Sequence, residues 1–124
     1  MTTDAQSISY RPAIVHQDDI VQGDTCTFRV TLNDENDDPI NLTGTTADME
    51  IKRLDGTLVL ALGIGNGITL SNPTAGEMTI TIDAGDTDAL DPEYTYLYDV
   101  QWTNGANVRT VVAGQLKIMK QITD

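Results

Sequence analysis

46-TADMEIKRLDGTLVLAL-62 is the stretch on which the fold turns. Ala47, Met49 and Ile51 alternate with Thr46, Asp48, Glu50 and Lys52. One side of the segment is therefore apolar and the other polar or charged. A period of two belongs to an extended strand with one face in a core and one in water. Asp55-Gly56 interrupts the alternation, and Leu58, Leu60 and Leu62 return on the inward face. Asp-Gly is a strong hairpin signal, because both central positions of a type I′ turn need positive φ. The segment reads as a β-hairpin with one wet face.

The same period runs outward from it. Upstream, 25-TCTFRVTLN-33 sets Cys26, Phe28, Val30 and Leu32 against Thr25, Thr27, Arg29 and Thr31. The acidic loop 33-NDENDDP-39 separates that strand from the hairpin. Downstream, 68-ITL-70 and 78-MTITI-82 flank a turn at 71-SNPTAGE-77, with Met78, Ile80 and Ile82 inward. The segment 83-DAGDTDALDP-92 breaks the pattern. Asp86 or Thr87 is placed to N-cap one short helical turn near 85–90, which Pro92 stops. Tyr94, Tyr96, Tyr98, Val100 and Trp102 then alternate, and Asn104-Gly105 is a second turn signal. In the long last strand, 107-NVRTVVAGQLKIM-119, the period slips at 111-VVAG-114, which predicts a bulge or bend at Gly114. Seven to eight strands at about ten-residue spacing, with almost no helix, predict one antiparallel β-sandwich or barrel over residues 16–124.

Residues 1–15 lack a sustained period and read as an extended N-terminal arm. Within it Ser7, Ile8, Tyr10, Arg11, Pro12 and Ile14 are the expected partner contacts. The N-terminus has neither a basic n-region nor an apolar h-region, so synthesis in a cytoplasm without a signal peptide is expected. No apolar run reaches bilayer-spanning length. The net charge of −12, from 19 acidic and 7 basic residues, argues against nucleic acid and anionic lipid as partners. It suits solubility, or docking on a basic protein surface.

Few residues are equipped for chemistry. The single cysteine, Cys26, lies in an alternating run and reads as a small buried hydrophobe. The single histidine, His16, is far from it in sequence, so neither a nucleophile–base pair nor a histidine-rich zinc set is expected. No cofactor is expected. Gly63-Ile-Gly-Asn-Gly67 lacks the spacing of a dinucleotide-binding loop, and no helical pattern follows it. The acidic groups 34–38 and 83–91 are candidate calcium loops without EF-hand spacing. The constellation with the most to offer is Tyr94, Tyr96, Tyr98 and Trp102. Rings on one face of a strand fill a core, form a subunit interface, or stack on sugars.

The succession 23-GDTCTFRVTLND-34, 39-PINLTGTTADMEIKRLDGTLVLAL-62, 66-NGITL-70, 76-GEMTITI-82, 84-AGDTDAL-90 and 96-YLYDVQ-101, closed by a strand running to Ile122-Thr123, resembles small structural proteins of tailed bacteriophages. In particular it is similar to the Ig-like N-terminal module of siphophage upper baseplate proteins. The resemblance covers roughly residues 17–123 and lies in the order of the segments rather than in one motif. It implies an Ig-like sandwich without catalysis, which docks in multiple copies on a tail, baseplate, neck/collar or capsid and resides in the virion. It implies other virion proteins as partners, in a homo-oligomer, ring or shell. Unlike in the baseplate type, no stalk or receptor-binding domain is expected after the module. A carbohydrate-binding or host-adhesion module using the Tyr/Trp stripe is the alternative expectation.

Overall fold

The computed structural model describes residues 19–120; the arm and its expected contacts lie outside the described residues, as does His16. Eight strands follow one another: β1 (Asp19–Val21), β2 (Cys26–Thr31), β3 (Thr46–Arg53), β4 (Leu58–Ile64), β5 (Gly67–Asn72), β6 (Glu77–Ile82), β7 (Thr95–Asn104) and β8 (Asn107–Met119). A helical turn, α1 (Ala84–Asp88), joins β6 to β7, and a 3-10 turn at Pro73–Ala75 joins β5 to β6.

Hydrogen bonds link all eight strands in the order β1-β8-β7-β3-β4-β5-β6-β2. The sheet folds over on itself where β4 meets β5, a contact limited to Gly63↔Gly67 and Ile64↔Ile68. Five strands lie on one side of this corner and three on the other, so the result is a sandwich almost closed into a barrel. The remaining gap is the seam between β1 and β2. The glycines of 63–67 serve this corner: Gly65 and Gly67 have φ of 81° and 95°. A Cβ on Gly67 would sit 2.8 Å from the Leu62 side chain and 3.0 Å from the Thr81 carbonyl oxygen. The pairing is antiparallel except at the corner and between β1 and β8.

The alternating residues face inward as the period demands. Phe28, Val30 and Leu32 meet Met78, Ile80 and Ile82 from the three-stranded side. Ala47, Met49, Ile51, Tyr96, Val100, Trp102, Leu116 and Ile118 come from the five-stranded side. All of these are buried, and apolar burial of this kind contributes roughly 25 cal/mol per Å².

Four local readings need correction, each with a physical cause. First, Leu58 is 50% exposed rather than inward. Ile51 pairs with Leu60 but Lys52 pairs with Leu58, so Val59 is an extra residue that shifts the register and turns Leu58 outward. Second, the Asp55-Gly56 turn is not type I′. Only Gly56 has positive φ (92°), and Gly56 N donates to Arg53 O while Arg53 N donates to Thr57 O. That is a three-residue loop closed by a glycine bulge. Third, the bulge in β8 is at Val111, not Gly114: Val100 pairs with Val112 and Gln101 with Thr110, so Val111 and Val112 are both buried. Gly114 instead lies under the Tyr98 ring, where a Cβ would be 3.1 Å from Cε1. Fourth, the N-cap position of α1 is Asp83, whose backbone is extended and whose side chain makes no capping bond; Asp86 and Thr87 lie inside the turn, where their N–H groups donate to Asp83 O. The second hairpin turns through Gly105 and Ala106, since Asn104 pairs with Asn107 and Gly105 has φ 63°.

Candidate functional site

The aromatic stripe separates into a core part and a surface part. Tyr96, Tyr98 and Trp102 are 1%, 7% and 2% exposed, whereas Tyr94 is 47% exposed. The first three therefore fill the core and do not form a docking surface, because the period of two that aligns them also points them inward. Their polar tips find partners there. Trp102 Nε1 donates to Thr45 Oγ1 at 2.8 Å, and Thr45 Oγ1 donates to Leu42 O at 2.6 Å. Asp91 N donates to Tyr96 Oη at 2.8 Å. A tyrosine at the start of a strand, holding the chain just upstream, is the tyrosine corner of immunoglobulin-like sandwiches. Tyr94, outside the core, meets the Tyr96 ring edge-on at 6.4 Å and lies 4.9 Å from the Arg53 guanidinium carbon.

The fully buried Thr87 hydroxyl organises the far end of the seam. It donates to Asp24 O at 2.7 Å, has Ala84 O at 3.1 Å, and accepts from Gly23 N at 3.1 Å. Gln22 Nε2 adds bonds to Asp88 O and Leu90 O. The loop between β1 and β2 is thus clamped to α1 by two side chains that the sequence reading had not singled out for this role. A buried threonine between acidic neighbours in 83-DAGDTDAL-90 was the available signal.

The acidic loops are organised by their own backbone. Asp34 Oδ1 accepts from Asn36 N and Asp38 N, and Asp37 adopts φ 69°. Among the described residues, no group of three or more His, Cys, Asp and Glu side chains is arranged to hold a metal ion. Cys26 is half-buried at the seam rather than fully enclosed, and burial raises its thiol pKa, which keeps it protonated. At the β3–β4 tip, hydrogen bonds from Thr57 hold the Asp55 carboxyl below its usual value.

Among the described residues, the outside of the two sheets and the exposed loop tips are left for recognition. The three-stranded side shows Thr27, Arg29, Thr31, Thr69, Ser71, Thr79 and Thr81. These bond to one another: Thr27 and Thr81 hydroxyls are 3.3 Å apart, Thr79 donates to Ser71, and Ser71 to Glu77. The five-stranded side carries exposed Leu58, Leu97, Val108 and Met119 among charged residues. A groove of about 530 Å³ crosses it between the β3–β4 tip and β8, bordered by Leu54, Leu97 and Ala113.

No protein-family model matches the chain, and no curated protein matches its sequence. Its fold has many counterparts among solved structures. A superoxide reductase (neelaredoxin) from Ignicoccus hospitalis superposes with a TM-score of 0.53 at 10% identity, over 92% of this chain and 85% of that one. A marsupial T cell receptor gives 0.58 at 10% identity, over 92% of this chain and 56% of the receptor chain. The Lin-41 filamin domain gives 0.50 at 12% identity, over 90% and 96%. The fold is an immunoglobulin-like β-sandwich. At such identities the likeness concerns the fold alone.

Proposed function

We propose that this chain is a non-enzymatic structural protein of a tailed-bacteriophage particle, docking in multiple copies on a tail, baseplate, neck/collar or capsid surface. The observation that carries this reading is how the phage-like succession of segments falls on the sandwich. Residues 23–34 span β2, 39–62 the β3–β4 hairpin, 66–70 β5, 76–82 β6, 84–90 α1 and 96–101 the middle of β7. A resemblance spread over the order of elements thus follows one folded unit from β2 onward. Among the described residues, Trp102 with Thr45, Tyr96 at its corner and Thr87 at the seam are engaged in holding that unit. An acidic sandwich with such an interior acts through its surface, and symmetric repetition turns weak contacts into firm attachment. Its partners on this reading are other virion proteins, not nucleic acid or membrane.

The adhesion alternative drew on four rings, of which Tyr94 alone is exposed, with Arg53 set over it. A single ring so covered offers a sugar little stacking surface.

Mass spectrometry of gradient-purified particles from the phage or prophage that encodes the chain tests the proposal. Peptides at a fixed multiple of the particle's symmetry are expected. Particles that lack the chain, together with a protein active on a substrate or glycan, overturn it.

A further inference from the structure

We propose that the open edge of β4, residues 58–62, is a self-pairing edge. Two copies of this chain join there, β4 antiparallel to β4, about a two-fold axis beside Leu60, so that one sheet runs through both. The inference does not depend on the virion reading and would hold for any role of the chain.

The first observation is that this edge is open and unguarded. β4 pairs with β3 along one side, and its other side meets β5 only at Gly63 and Ile64. Over residues 58–62, no strand among the described residues lies against that other side. An unpaired edge presents a row of N–H and C=O groups to any further strand, and proteins commonly guard it with charge, proline or a bulge. The edges across the sandwich are guarded in this way. β2 carries Arg29, and β8 carries Arg109 and its bulge at Val111. β4 carries neither charge nor proline. Its bulge at Val59 lies at the hairpin end and leaves Leu60, Ala61 and Leu62 in regular register with β3.

The second observation selects a copy of the same chain as the occupant. From Gly56 to Gly76 no side chain is charged, and no other stretch of the sequence runs as far without a charge. Copies of a chain with net charge −12 repel one another, and do so least where both surfaces are neutral. A basic partner would be drawn to the carboxylates elsewhere and would gain nothing from an edge without charge. The side chains on the edge are apolar instead: Leu58 is 50% exposed, and Val59 and Leu60 are only partly covered where they pack on the core. Antiparallel pairing of a strand with its own copy is self-complementary, because each backbone bond made by one copy is repeated by the other. The open edge is centred on Leu60, which pairs with the buried Ile51 and so faces the core side. Across the axis each Leu60 then lies beside the other, and two half-covered core margins become one apolar layer. Leu58 of each copy approaches the Leu62 end of the other's edge.

The charges nearest the contact stay apart. Glu50 lies beside Ala61 and Asp48 beside Gly63, both one strand back on β3. At ~4.8 Å per strand, the two copies of β3 are three spacings apart, ~14 Å. That exceeds the Debye length of ~8 Å at physiological ionic strength. The edge is short, ~16 Å at ~3.3 Å per residue, so the contact is weak and reversible.

Sedimentation velocity of the full 124-residue chain over a concentration series tests the proposal. A reversible monomer–dimer equilibrium is expected. Ala61 is exposed and lies on the edge next to the axis. Ala61→Lys should therefore weaken the dimer at least tenfold, while Thr79→Lys on the three-stranded side should leave it unchanged; thermal melts confirm that both variants are folded. Ala61→Lys mixed with Ala61→Glu should associate more tightly than either variant alone, because the axis brings the two positions close. In the unmodified chain, the amides of residues 58–62 should exchange with deuterium more slowly as concentration rises, and those of residues 107–116 on the β8 edge should not. A chain that stays monomeric at millimolar concentration overturns the inference. So does a dimer that survives Ala61→Lys, is broken by Thr79→Lys, or leaves exchange at residues 58–62 unchanged. A monomer present in purified particles would overturn this inference and leave the proposed function standing.

Discussion

The outer faces of the two sheets cover one core and are built oppositely. On the three-stranded side, outward positions are mostly threonine and serine, and several hydroxyls bond to a neighbour. On the five-stranded side, leucine, valine and methionine share the surface with charges of both signs. The inward faces show no such contrast, since both are uniformly apolar. Burial therefore constrains the inside of each sheet equally and leaves the two outsides free to differ. β-branched hydroxyl residues suit a strand that stays in water.

This contrast between equal interiors and unequal exteriors can be broken in several ways. The largest effects should come from the interiors. Phe28→Ala on the three-stranded side and Trp102→Ala on the five-stranded side should each cost ~3–5 kcal/mol in urea unfolding. If either costs less than ~1 kcal/mol, the two sheets do not share one core. Next is the seam. Thr87→Val removes a hydroxyl that bonds Asp24 O and Gly23 N, and should cost ~1–3 kcal/mol by the same measurement. Tyr96→Phe should cost ~1 kcal/mol, because it keeps the ring and leaves Asp91 N without its partner. A larger loss would mean that the corner orients the whole α1–β7 connection.

The smallest effect belongs to the surface. The Asp55 carboxyl is held below its usual pKa chiefly by hydrogen bonding from Thr57. A depressed carboxylate stabilises the fold above its unfolded pKa, and this contribution fades as pH falls through the folded one. A slight fall in melting temperature below the ordinary aspartate range is expected, and Asp55→Asn should remove that component from a pH series of thermal melts.

The sequence disclosed the strands of this fold more readily than their joints. Period two located β2, β3, β6 and β7, because burial on one face acts on every second residue. Bulges violate that period by construction. Val59 was hidden in the apolar run 58-LVLAL-62, where any register looks inward. The slip at 111-VVAG-114 was legible, but its site was misassigned to the glycine, whose smallness answers to the Tyr98 ring instead. The corner at Gly63–Gly67 was legible only as a loop, since switching between sheets is set by long-range pairing. For the candidate site the aromatic stripe was visible, yet a period of two cannot say which of its ends leaves the core. Tyr94 does so because it precedes β7.

The parallel pairing of β1 with β8 has a mechanical consequence. Asp19 lies beside Lys117 and Val21 beside Met119, so the chain enters this ladder at one end and leaves it at the other. Tension applied between the two termini would run along the strands. The bonds of the ladder, with Gln22 N to Met119 O at 2.8 Å, would then carry the load together in shear rather than open one at a time. A domain strung between neighbours by its two ends would yield late under traction.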